Sequence, residues 1–173
     1  MIQTKDFSEI IGKHKGQNCL IVGSGPSLDE LQPDFWHTYD VIICNNLILY
    51  TPCDYLLRPD DIGHNVLSLL DGCLYRYFRK RLHEEDAFER DGRIIHNGDT
   101  ICACASLAVE LGVSSVDFAG CDFSREDYCK RRLQRFPDWQ KDISDKAFRG
   151  FGLAKEGLIS ILEHYGVPYG FLK

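Results

Sequence analysis

The stretch from Cys19 to Leu28, Cys-Leu-Ile-Val-Gly-Ser-Gly-Pro-Ser-Leu, has the clearest chemical reading in the chain. Four apolar residues run into a glycine turn, and Leu28, Asp29, Glu30 and Leu31 follow as the expected first turn of a helix. A strand feeding a glycine turn and a helix is how open α/β sheets hold phosphate. Glycines let the backbone approach the anion, and unpaired N–H groups at the positive end of the helix dipole attract it. Gly23, Ser24, Gly25, Pro26 and Ser27 are therefore the expected ligands of a nucleotide phosphate. Pro26 suits the first helical position, where its missing N–H costs nothing, and Ser24 or Ser27 can cap the helix or donate to an oxygen. The turn lacks the third glycine of the dinucleotide fingerprint and the Gly-Lys-Ser/Thr of a Walker loop.

Further polar residues fall where other strands should end. Asn45 and Asn46 close a second strand, and Arg58, Asp60 and Asp61 a third. His96, Asn97, Gly98, Asp99 and Thr100 close a fourth, and Cys121, Asp122, Phe123 and Ser124 a fifth. Ligands of open α/β sheets lie at the carboxyl ends of the strands, so these groups are expected along one edge. The amides of Asn45 and Asn46 fit a ribose or a base edge. Asn97, Gly98, Asp99 and Thr100 read as a second anion-facing helix start. Asp60, Asp61 and Asp122 accept hydrogen bonds when ionised, which suits ribose hydroxyls, a Mg²⁺ ion or the proton of an acceptor nucleophile. His96 is the best-placed general base, ahead of His64 and Arg58. The catalytic candidates are thus His96, Asp122 and Asp60. Each segment alone also reads as a turn or a helix cap, and it is their convergence that argues for a site.

Short apolar runs alternating with longer amphipathic stretches position these residues. The pattern predicts a single α/β domain, Rossmann-like, with a mainly parallel sheet and helices on both faces. Strands are expected over 18–23, 40–44, 54–57, 93–96 and 115–120, with a last one over 167–172 at a sheet edge, because Pro168 lacks a donor. Helices are expected over 62–70, capped by Asp60 or Asp61, from Asp99 or Thr100 to Leu111, and over 151–165. The last should bury Leu153, Leu158, Ile161 and Leu162, and Gly112 and Gly166 are the expected stops. Residues 71–91 and 123–150 fit no element; both read as insertions near the ligand edge, able to fold over a nucleotide.

Composition narrows the class. At 173 residues, 44% hydrophobic and with a net charge of −6, the chain suits one soluble domain without a surface for coating nucleic acid. The basic clusters Arg76, Arg79, Lys80, Arg81 and Lys130, Arg131, Arg132, Arg135 read as solvated faces. No run is long enough for a membrane span and no signal-peptide core opens the chain, which points to the cytoplasm. The eight cysteines lack the paired spacing of a zinc site and sit mostly in apolar runs, so they read as reduced and buried.

Three phrases occur in order: Ile-Val-Gly-Ser-Gly-Pro-Ser-Leu, then Asp-Val-Ile-Ile-Cys-Asn-Asn, then His-Asn-Gly-Asp-Thr-Ile-Cys-Ala-Cys-Ala-Ser-Leu-Ala-Val-Glu-Leu-Gly leading to Val-Asp-Phe-Ala-Gly-Cys-Asp-Phe. Over residues 17–123 this resembles the α/β module shared by the bacterial family 42 sialyltransferases and the archaeal-type 6-hydroxymethylpterin diphosphokinases, with their phage-encoded relatives. The resemblance implies nucleotide phosphate on Gly23 to Ser27, nucleoside on Asn45 or Asn46, and Asn97 to Thr100 lining the same cleft. The sialyltransferases add a histidine base and a tyrosine pair in a lid. The matching tract here offers Tyr128 and no histidine between Asp122 and His164. The phrase ending in Asp60, Pro-Cys-Asp-Tyr-Leu-Leu-Arg-Pro-Asp, looks more like the diphosphokinases.

The first expectation is a small transferase on a nucleotide sugar, such as a CMP-sugar, working without a metal cofactor. The alternative is diphosphokinase-like phosphoryl transfer with Mg²⁺ on Asp60, Asp61 or Asp122. A nucleotide-binding module without catalysis is the third.

Overall fold

The computed structural model describes residues 3–4, 7–45, 52–59, 65–69, 73–77, 100–135, 137–138, 141 and 144–173. Its sheet has eight strands: β1 (Gln3–Thr4), β2 (Asn18–Val22), β3 (Val41–Asn45), β4 (Tyr55–Pro59), β5 (Asn65–Leu69), β6 (Cys73–Tyr77), β7 (Ser115–Ala119) and β8 (Tyr169–Phe171). They lie in the order β1-β6-β5-β4-β3-β2-β7-β8. From β4 to β8 every neighbouring pair is parallel, which is the Rossmann-like core. Strand β5 runs antiparallel to both β4 and β6, and β1 adds in parallel to β6. Strand β8 lies at the edge, as Pro168 suggested.

Three helices are described: α1 (Thr100–Leu111), α2 (Lys130–Arg135) and α3 (Asp145–His164). Alternation along the strands splits the core into two faces. Cys19, Ile21, Val41, Ile43, Val116 and Phe118 meet α1 and α3. The small residues Ala103, Cys104, Ala105 and Ala108 are fully buried and let α1 lie close to its neighbours. On the other face Leu20, Val22, Ile42, Cys44 and Ala119 are covered by Leu28, Phe35, Trp36 and Tyr39, carried by short 3-10 turns. Long helices thus cover one face, and turns with the neighbourhood of α2 cover the other.

Several expectations are corrected. Residues 65–69 form a strand where a helix over 62–70 was expected. Only five residues separate them from β4, too few for a parallel crossover, so the apolar run pairs antiparallel instead, Leu67 opposite Leu57. Strand β6 lies inside the unassigned 71–91 stretch. Helix α3 begins six residues earlier than expected, because Ser144 caps it by accepting from the Ala147 N–H. Its buried stripe uses Ala154 rather than Leu153, which is 43% exposed. Helix α1 stops at Gly112 with φ +78°, and Gly166, also at positive φ, follows α3. The strand expected over 93–96 lies outside the described residues. Cys19, Cys44, Cys53, Cys102, Cys104, Cys121 and Cys129 are free thiols, all but Cys121 buried. Among the described residues no helix is long and apolar enough to cross a membrane.

Candidate functional site at the carboxyl ends of two central strands

Strand β2 has β3 on one side and β7 on the other, so the connection from β2 to β3 and that from β7 to β8 move apart along the sheet. That reversal is where open α/β sheets form a crevice. The glycine loop enters it locked to the end of β7. Gly23 N–H donates to Ala119 O at 2.8 Å, and Gly25 N–H to Gly120 O at 2.7 Å. A Cβ on Gly25 would stand 1.9 Å from Asp122 Oδ2 and 2.8 Å from Gly120 O, and one on Gly23 2.5 Å from Gly120 O. The Gly25 backbone, at φ −73° and ψ 164°, is open to any residue, so glycine is needed here for close approach alone. The chain that approaches is the protein's own, residues 120–122, which accounts for both glycines without an anion. Gly120 answers from the other side: its φ is +64°, and a Cβ there would lie 2.5 Å from Leu28 Cγ.

The helix expected after the loop is one 3-10 turn, Pro26–Asp29, with Pro26 at its start as foreseen. Pro33, lacking an N–H, prevents a helix from running on through it. A single turn sums few peptide dipoles, so the macrodipole expected to draw phosphate is largely missing. Gly25 stands at the cap position without a side-chain cap bond, so neither Ser24 nor Ser27 plays that part. The Ser27 N–H instead donates to Asp122 Oδ2 at 3.2 Å. Asp122 therefore does reach the glycine loop.

Positive charge comes from side chains that follow β7. Arg132 was expected on a solvated face; it is only 4% exposed, while Lys130 and Arg131 do face solvent. Its Nη1 donates to Ser24 Oγ at 2.6 Å, and its guanidinium lies 3.4 Å from the centre of the Tyr128 ring. Backbone bonds hold α2 in place: Cys129 N–H donates to Ser24 O at 3.0 Å, and Lys130 N–H to Asp29 Oδ2 at 2.9 Å. Lys141 Nζ donates to the carbonyls of Ser124 at 2.6 Å and Glu126 at 2.7 Å. Burial pushes the Lys141 ammonium below the usual lysine range; Asp122, Asp127 and Glu126 pull it back up, and Arg132 pushes it down. Phe123, in the same loop, has φ 50°, a backbone region rarely held by a bulky residue without a constraint around it.

Of the expected site residues, the structure brings together Gly23, Ser24, Gly25, Pro26, Ser27 and Asp122. Asn45 is the last residue of β3, Arg58 lies in β4, and Thr100 opens α1 half-buried. Asn46, Asp60, Asp61, His64, His96, Asn97, Gly98 and Asp99 lie outside the described residues. Sequence reasoning missed Arg132 and Lys141. A signal for Arg132 existed: Cys129, Arg132 and Leu133 share one helical face, and its two apolar members mark that face as the inward one. Nothing in the sequence singles out Lys141. Among the described residues no group of three or more His, Cys, Asp or Glu side chains could hold a metal ion.

Comparison with protein-family models, with curated proteins and with solved structures gives no match to this chain.

Proposed function

We propose that the chain binds the phosphate of a nucleotide or nucleotide sugar at the junction of the glycine loop with the segment after β7. On this reading it is a small cytoplasmic transferase related to the family 42 sialyltransferases and the archaeal-type diphosphokinases. The observation that carries the reading is the buried Arg132 guanidinium bonded to Ser24 of the glycine loop at 2.6 Å. A buried cation is costly to hold, and at the carboxyl edge of an α/β sheet it lends positive potential where a departing phosphate needs it. The loop residues Gly23 to Ser27, Tyr128 and Lys141 would share that charge. Asp122, or His96 or Asp60, would take the proton of the acceptor hydroxyl. The transfer then needs no covalent intermediate, only charge stabilisation and a base.

One observation favours the phosphoryl-transfer alternative. The Asp122 carboxylate stands on the loop amide of Ser27, where it repels a bare phosphate unless a cation lies between them. An oxygen-seeking Mg²⁺ would take Asp122 as a ligand, with Asp60 or Asp61, and would neutralise that repulsion.

Calorimetric titrations with CMP, CDP, UDP, ATP and GTP, each with magnesium and with EDTA, separate the readings. The nucleotide-sugar reading expects a cytidine nucleotide to bind whether or not metal is present. Tight ATP binding that needs magnesium, with no affinity for CMP, would overturn it in favour of the diphosphokinase. Binding without turnover of any activated donor would leave a nucleotide-binding module.

A further inference from the structure

We infer that Ser24 is a charge-assisted hydroxyl donor to a phosphoryl oxygen, and that Arg132 is the residue that positions and polarises it. The inference rests on the nucleotide reading above and gives it a named donor. A serine hydroxyl has one proton to give and two lone pairs to receive with, whereas a guanidinium only gives. The 2.6 Å contact from Arg132 Nη1 therefore makes Ser24 Oγ the acceptor in that bond. The hydroxyl proton is left for another partner. Among the described residues the bond from Arg132 is the one hydrogen bond of this hydroxyl, and Ser24 is only 7% exposed.

A donor buried to that degree is costly until an acceptor arrives. A bound ligand can supply that acceptor, and its chemistry is constrained. It has to accept a hydrogen bond. Arg132 draws electron density from Oγ, so the hydroxyl is a stronger donor than an ordinary serine and favours a charged oxygen over a neutral one. The same positive charge repels a cationic ligand. A phosphoryl oxygen meets these conditions better than the neutral acceptors of a nucleoside do.

The test uses inorganic pyrophosphate, CMP and cytidine as probes, titrated calorimetrically into the wild type, Ser24→Ala, Ser24→Cys, Arg132→Met and the Ser24→Ala/Arg132→Met double variant. A lost bond to a charged oxygen should weaken pyrophosphate and CMP by about tenfold or more in Ser24→Ala. Cytidine should be unaffected. Arg132→Met should weaken the phosphates similarly, yet add less than about twofold once Ser24 is already alanine, since both changes remove one donor. A purely structural Arg132 would lower the melting temperature and leave the two affinity losses independent. If Ser24→Ala does not fold, Ser24→Cys decides, because it nearly keeps the volume and gives up the strong donor. On the wild type itself, saturating pyrophosphate should bring the Ser24 hydroxyl proton into slow exchange by NMR. Unchanged phosphate affinity in the Ser24 variants, or no such resonance, overturns the donor and leaves the nucleotide reading standing. A wild type that binds neither CMP, ATP nor pyrophosphate overturns both.

Discussion

The two faces of the sheet are built on different principles. One is closed by α1 and α3, whose inward residues Leu107, Leu111, Leu158 and Leu162 are fully buried against Ile21, Ile43 and Val116. The other is closed by 3-10 turns, and what fixes the chain beside it is a short set of specific bonds. Asp29 holds the start of α2, Asp122 holds Ser27, and Arg132 holds Ser24. Buried area is non-directional and redundant, so the helical face has stability to spare. The bonded face has one partner per contact, and its polar atoms stand at the sheet edge where a ligand would lie. Apolar packing and specific polar bonding are thus separated to a large degree, one to each face.

The sharpest way to break this separation is to cut the helical face. Leu158→Ala should destabilise the fold by about 2–5 kcal/mol, as large-to-small changes in packed cores do. Denaturant unfolding measures the loss. Any nucleotide affinity found for the wild type should persist in the fraction still folded. A parallel loss of affinity would mean that the faces are coupled.

Gly25→Ala tests the other side. Its Cβ meets the Gly120 carbonyl as well as the Asp122 carboxylate, and the backbone oxygen cannot swing away as a side-chain end can. Overpacking of this kind costs about 1–3 kcal/mol. The same change should pry the Asp122 loop from the glycine loop, so ligand affinity should fall together with stability. A melting curve and a titration on one preparation read both; unchanged stability would contradict the close approach. Ser144→Ala should cost less, about 1 kcal/mol, because it removes only the cap of α3 at an exposed position. Its unfolding curve should shift while ligand binding stays as in the wild type.

The sequence announced most of the core and only part of the edge. Strands β2, β3, β4 and β7 follow from runs such as Cys19 to Val22, whose burial pattern is local. Helix α1 follows from a cap-to-glycine span with an apolar register. Strand β5 was misread because Ile62, Val66, Leu69 and Leu70 also fit a helix; the deciding fact, pairing with β4, is tertiary. Gly23 and Gly25 were legible as close-approach glycines, but not the identity of what approaches them, since Gly120 and Asp122 lie about a hundred residues away in the sequence. Arg132 was legible only in part: the face it shares with Cys129 and Leu133 points inward, but Ser24, which receives its charge there, is far away in the sequence.

Lys141 gives the finest test, because it is bonded to the segment after β7 and feels the charge of Asp122, which in turn holds the glycine loop. Burial lowers its affinity for a proton, and the carboxylates of Asp122, Asp127 and Glu126 oppose that shift. The folded chain therefore releases this proton at lower pH than the unfolded chain, whose lysine titrates near the ordinary value of about 10.4. Below the lowered value the charged form is disfavoured by folding, and the penalty is fully present. Between the two values the unfolded state binds more protons, so stability rises with pH across that window, and above it the penalty is gone. Titration of the lysine ¹³Cε resonances should show one signal moving ahead of the others, and that signal should vanish in Lys141→Met. Asp122→Asn should carry it lower still, because the carboxylate that most supports the ammonium is then neutral. A Lys141 signal that titrates with the remaining lysines, or that ignores Asp122, would contradict the burial of this ammonium and its support by the carboxylate. The late segment would then be tied to the glycine-loop region by Arg132 and by the bonds of Asp122, Cys129 and Lys130 alone.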